Sequence, residues 1–118
     1  MTHGEIWLID FGIPVGSLPA KIRPAVVMQN DLLGIKHLNT VVVIPFTSNL
    51  VSSEHEPNIF FKKEETGLSK DSVAVIHLIG AANKFCFERK ISKLSEENYQ
   101  KLIDAVVKLI TNDYLQFF

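Results

Sequence analysis

Apolar residues come in short alternating or continuous blocks along most of the chain, and a helical period takes over only near its end. Over Gly4–Phe11, Ile6, Leu8 and Asp10 alternate with Trp7, Ile9 and Phe11, so both faces are apolar until Asp10, as in a strand entering a well-covered sheet. Gly12 and Pro14 break that pattern, and Gly12–Ile22 reads as a long loop, a length that in a compact domain usually serves function. A second strand is predicted over Pro24–Gln29, around the apolar run Ala25–Met28, and a turn region over Asn30–Asn39 follows. The β-branched run Val41-Val42-Val43-Ile44 predicts a third strand over Thr40–Phe46, with Pro45 calling for an edge or a bulge near its end. Val51–Pro57 reads as a loop, Asn58–Lys62 as a short strand and Glu64–Lys70 as a turn around Gly67. Ser72–Ile79 reads as a strand with Val73, Val75, His77 and Ile79 on one face. Asn83–Glu88 fits a helical turn or an irregular connection, and Lys90–Leu94 fits one more short strand.

The period then changes. Ser95 is placed to cap a helix whose first turn holds Glu96 and Glu97, where the helix dipole favours negative charge. Tyr99, Leu102, Ile103, Val106, Leu109 and Ile110 recur at three- and four-residue spacing, which predicts an amphipathic helix covering the open side of the sheet. Five or six short strands and one closing helix in 118 residues predict a single domain, mainly β, built as a small and strongly curved, partly closed barrel. The apolar tail Tyr114–Phe118 is expected to pack on this molecule or on a partner.

No run approaches the roughly 18 apolar residues of a membrane span, and no basic-then-apolar leader opens the chain, so a soluble cytoplasmic protein is expected. Cys86, the one cysteine, reads as core filler between Phe85 and Phe87. The formal charge of −1, from 12 Lys and Arg against 13 Asp and Glu, argues against non-specific binding of long nucleic acid. A nucleic-acid site must then be a local patch, with Lys21, Arg23, Lys36, Lys62 and Lys63 as its candidate cations.

Within the chain, Arg23 stands directly before Pro24, which pushes it into extended backbone where the loop meets the strand. An arginine there is a permanent cation on a rigid support. Thr47 and Ser48 leave the third strand as polar residues displayed rather than packed.

The blocks Gly4-Glu5-Ile6-Trp7-Leu8-Ile9-Asp10, Val15-Gly16-Ser17 leading to Ile22-Arg23-Pro24, Val26-Val27-Met28-Gln29-Asn30-Asp31, Thr47-Ser48 and Lys70-Asp71-Ser72-Val73, with Leu94-Ser95-Glu96, occur in an order and spacing that resemble the MazF/PemK (Kid) toxins of type II toxin–antitoxin systems. The resemblance covers nearly the whole length, residues 1–118 as one toxin domain. It implies an SH3-like barrel of the MazF/CcdB kind with a C-terminal helix, a homodimer, and an endoribonuclease (mRNA interferase) that cuts single-stranded RNA at short sequences without metal or other cofactor. It also implies inhibition by a cognate antitoxin whose extended tail occupies the RNA groove.

By that resemblance the catalytic arginine falls on Arg23 and the catalytic threonine on Thr47. Metal-free cleavage sends the ribose 2′-hydroxyl onto the neighbouring phosphorus, so charge gathers on phosphate oxygens and needs fixed donors. Arg23 offers a bidentate fork, and Thr47 and Ser48 offer hydroxyls. His77 is the candidate base, because histidine titrates near neutrality. Ser17, Lys21, Gln29 and Asn30 are candidate RNA contacts. The chain departs from the family at Leu78-Ile79-Gly80-Ala81-Ala82, where a Gln-Ile-Arg-Thr type segment is usual. That departure leaves open a second reading, a non-catalytic CcdB-like toxin that binds DNA gyrase.

Overall fold

The computed structural model describes residues 1–13, 15–17, 21–32 and 37–111. Seven strands form one antiparallel sheet: β1 (Glu5–Asp10), β2 (Ile22–Val27), β3 (Thr40–Thr47), β4 (Ile59–Phe61), β5 (Ser72–Ala74), β6 (Gly80–Asn83) and β7 (Phe87–Lys93). Their order is β4-β5-β3-β2-β1-β7, with β6 paired to the first half of β3. The predicted tail, Tyr114–Phe118, lies outside the described residues.

β3 is the centre of the sheet, which settles the place of Pro45. β6 pairs with Thr40–Val43 and β5 pairs with Phe46–Thr47, so Pro45 falls in the handover between the two partners. Its missing N–H interrupts no ladder there, and its carbonyl accepts from Val75 N–H at 2.9 Å. The expected edge or bulge is thus a change of partner in a central strand.

The strand predicted over Ser72–Ile79 ends at Ala74 and gives way to a 3₁₀ turn, Ile76–Leu78, and then to β6. Two hydrogen bonds turn the chain: Val75 N–H goes to Pro45, and Ile76 N–H goes to the side-chain Oδ1 of Asn58 at 2.9 Å. His77, expected on a strand face, rides exposed on that turn. The predicted turn over Glu64–Lys70 begins instead with a short helix, α1 (Lys63–Thr66), which Gly67 ends in the left-handed region at φ +75°.

Apolar residues fill both faces of the sheet. On one, Ile6, Val26, Ile44, Phe46, Phe61 and Leu102 form a buried cluster, with the rings of Phe46 and Phe61 edge to face at 6.3 Å. Leu102 belongs to α2 (Glu96–Ile110), which closes this core; Ser95 caps it by accepting from Asn98 N–H at 3.1 Å. Tyr99, Leu102 and Ala105 are its buried residues, while Ile110, assigned by periodicity to the inner stripe, is 71 % exposed. The other face packs Ile9, Ala25, Val27, Val41, Val43 and Ala82, and Cys86 lies half-buried against it as core filler.

The sheet curls but does not close. Between its edge strands β4 and β7 sits α1, tied to β7 by the Ser92 hydroxyl, which donates to the Thr66 carbonyl. A Cβ on Gly67 would meet Ser92 Cβ at 2.9 Å, so this seam needs glycine for space as well as for its backbone angle. Among the described residues no helix is long and apolar enough to cross a membrane.

Candidate active site

A cleft of about 870 Å³ opens where β1, β2, β3 and β7 meet the segment after α1. Its apolar lining comes from Leu8, Ile22, Pro24, Phe46 and Ile91 of the strands and from Leu68 after α1. Its polar lining comes from strand ends and loops and, with Arg89, from within β7.

Arg23 and Thr47 both line it. β2 begins at Ile22, so Arg23 is the second residue of the strand rather than the last of the loop. The β2–β3 ladder reaches as far as the pair Ala25 and Pro45, and Arg23 and Thr47 lie two residues beyond it, where β2 begins and β3 ends.

The hydroxyl of Thr47 is prepared for donation. Its Oγ1 accepts the N–H of Asn49 at 3.1 Å, and no described residue accepts its hydrogen. A hydroxyl whose oxygen is already engaged still carries one O–H to give. Asn49 in turn caps the 3₁₀ turn Leu50–Glu54 by accepting from Val51 N–H, which fixes the path of Thr47-Ser48-Asn49 along the cleft.

Lys21 reaches the cleft from the base of the long loop. Its N–H donates to the Gly12 carbonyl at 2.7 Å and its carbonyl accepts from Phe11 N–H at 2.8 Å, so the two ends of the loop are clamped together. Lys21 adopts φ +60°, a backbone region that lysine rarely enters. Lys70, at the end of the segment after α1, and Arg89 of β7 also line it. Four cations therefore line the cleft and no Asp or Glu does, in a chain with one more acidic residue than basic ones.

The other candidates fall elsewhere. Ser48 lines the cleft, but Ser17 stands exposed on the loop outside the lining. Gln29 is buried, its Oε1 accepting from Val42 N–H at 3.2 Å just past the end of β2, and it presents nothing to the cleft. Asn30 folds its side chain back to accept from Leu32 N–H at 2.7 Å. His77 is absent from the lining because the chain leaves the strand path before reaching it. Lys62 and Lys63 lie at the start of α1, outside the lining, and Lys36 lies outside the described residues. Lys70 and Arg89 were not among the cations picked from sequence; the one local signal for Arg89 was its place in the charged run Glu88-Arg89-Lys90 ahead of a predicted strand. No group of three or more His, Cys, Asp or Glu among the described residues is arranged to hold a metal ion.

Residues 2–110 match the family of PemK-like, MazF-like toxins of type II toxin–antitoxin systems. The chain belongs to this family. The Mycobacterium bovis endoribonuclease MazF2 is 37 % identical to it over 84 residues, 71 % of this chain and 74 % of the relative. The endoribonuclease MazF of Staphylococcus saprophyticus is 29 % identical over 106 residues, covering 90 % and 88 % of the two chains. Among solved structures, a mycobacterial endoribonuclease in complex with its cognate antitoxin superposes with a TM-score of 0.68 over 92 % of each chain, at 14 % identity. The Mycobacterium tuberculosis toxin MazF-mt6 superposes with a TM-score of 0.65 over 88 % of this chain and 93 % of that one, at 20 % identity, and these likenesses show the fold: an antiparallel, barrel-like sheet with a C-terminal helix.

Proposed function

We infer that this chain is the toxin of a type II toxin–antitoxin pair and works as an endoribonuclease on single-stranded RNA. The observation that carries the reading is the cleft in which Arg23 and Thr47 meet inside a ring of cations, within a chain of net negative charge. Membership of the MazF-like toxins and relatives named as endoribonucleases support the same reaction. They also leave the gyrase-binding alternative without support.

In this reading the 2′-hydroxyl of a ribose attacks the adjacent phosphorus and gives its proton to solvent water, while the P–O5′ bond breaks and the 5′-oxygen of the next nucleotide takes a proton from water, leaving a 2′,3′-cyclic phosphate and a 5′-hydroxyl. Negative charge rises on the non-bridging oxygens as the phosphorus becomes five-coordinate. Arg23 meets two of those oxygens with its fork, and Thr47 donates the O–H that its bond from Asn49 leaves available. The half-buried setting of both side chains strengthens these bonds relative to water. Because the lining offers cations and hydroxyls but no carboxylate or imidazole, transition-state charge stabilisation is the main contribution of one subunit. The toxin acts as a cytoplasmic homodimer, and its antitoxin silences it by occupying the cleft.

The test is a purified-protein assay on a mixed single-stranded RNA in chelator. The unmodified protein cuts at a few sites. Arg23→Ala and Thr47→Ala each lower the rate by about 10²- to 10³-fold, the usual cost of removing one charge-stabilising donor. His77→Gln, outside the cleft, stays within about twofold of the unmodified protein. Full activity in Arg23→Ala would overturn the assignment.

A further inference from the structure

We propose that Arg89 grips a second phosphate of the RNA, one flanking the bond that is cut, so that β7 sets where the strand lies. The inference rests on the ribonuclease reading above and assigns a residue to it that neither the sequence motifs nor the resemblance supplied.

Arg89 stands across from Leu8 in the β1–β7 ladder, and Leu8 stands across from Pro24 in the β1–β2 ladder. Leu8, Pro24 and Arg89 all line the cleft and lie in one row across three strands, so Arg89 stands two strands away from the end of β2 that carries Arg23. Two strand spacings separate β2 from β7, about 10 Å. With its backbone two strands away from that of Arg23, Arg89 is set to meet a different phosphate of an extended strand.

The neighbours of Arg89 sharpen the assignment. Lys90 turns to the other side of β7 and pairs with the buried carboxylate of Glu5 at 3.2 Å, so its charge is spent in the fold. Glu88 is exposed but outside the lining. Arg89 is exposed, lines the cleft and forms no salt bridge with any described residue. Lys70 lines the cleft as a further cation, and Ser69 and Ser72 line it too. An arginine here provides the planar two-point grip that suits a phosphodiester, whereas lysine provides a point charge.

The experiment compares the unmodified protein with Arg89→Gln and Arg89→Lys on a short RNA containing one cut site. A single uncharged methylphosphonate linkage is placed in turn at each position around that site. Arg89→Gln raises KM about five- to tenfold with kcat changed less than about twofold, and Arg89→Lys recovers most of the loss. At one flanking linkage the methylphosphonate raises KM for the unmodified protein and has no further effect on Arg89→Gln. Circular dichroism checks that the variants fold; if Arg89→Gln does not, the same comparison is read between Arg89→Lys and the unmodified protein across the linkage series. An unchanged KM in folded Arg89→Gln, or identical linkage profiles in unmodified and variant proteins, overturns the role of Arg89 while the ribonuclease reading stands. RNA that the unmodified protein neither binds nor cuts overturns both.

Discussion

Raising the salt concentration should loosen RNA from this protein by an amount set by the cations of one cleft, even though the chain as a whole carries a net negative charge. Each phosphate neutralised on a single strand contributes a slope of about −0.7 to the plot of log K against log salt. Lys21, Arg23, Lys70 and Arg89 line the cleft, so full engagement gives about −2.8 per bound strand. Between 50 and 200 mM salt that slope corresponds to about a 50-fold loss of affinity. The assay is fluorescence anisotropy of a labelled short RNA, titrated with Thr47→Ala so that the strand survives the measurement. Lys70→Gln should reduce the slope by about 0.7 and weaken binding at low salt more than at high salt. Lys63→Gln, on α1 outside the lining, should leave the slope unchanged. A slope near zero, or equal losses in the two lysine variants, would mean that RNA is held by a different surface.

Three further outcomes follow from the scaffold. Burial pushes the Glu5 carboxyl pKa up, but hydrogen bonds from Trp7, from Thr2 and from Lys90 outweigh it and lower it from 4.5 to about 2. The stabilisation is therefore complete above about pH 4.5 and is lost as pH falls towards 2, about 3 kcal/mol in all; chemical denaturation between pH 6 and 2 should show that loss in the unmodified protein and not in Glu5→Gln. His3 has the opposite sign: bonds to Glu96 at 3.0 Å and to Asp31 at 2.9 Å raise its pKa above 6.5, so its contribution is full below that value and fades as pH rises through the raised one. The melting temperature of His3→Gln should accordingly fall below that of the unmodified protein at pH 6 and converge with it at pH 9. Gly67→Ala should cost about 1–3 kcal/mol in denaturant unfolding, because φ +75° and the 2.9 Å approach to Ser92 Cβ both oppose a side chain.

The parts of the fold that were legible in the sequence are those set by local periodicity. β1, β3 and α2 follow from alternation, from β-branched runs and from the Ser95 cap with its acidic first turn. What escaped was set by distant partners. The apolar run from Ser72 to Ile79 suits a strand on either face, and only the side chain of Asn58 and the carbonyl of Pro45 stop it at Ala74. His77 was carried out of the site by that same break.

The candidate site divides in the same way. Arg23, before proline, and Thr47, at a strand exit, have local signatures, and both line one cleft. Lys70 and Arg89 were marked only by a quoted block and by a charged run, neither of which points to a cleft. They reach that cleft because the sheet curls until β7 and the segment after α1 face β2, a consequence of strand order and of two register shifts along β1–β7. Gln29 and Asn30 lie outside that cleft, and their polarity serves the backbone, closing a ladder and a turn.

The most direct measurement replaces one ribose, on the 5′ side of a mapped cut, by its 2′-deoxy counterpart and follows cleavage by the unmodified protein in chelator. With the attacking hydroxyl gone and every phosphate kept, binding should persist and cutting at that bond should stop. Unabated cutting at the substituted bond would mean that the nucleophile is something other than the neighbouring hydroxyl and that Arg23 and Thr47 serve a different chemistry.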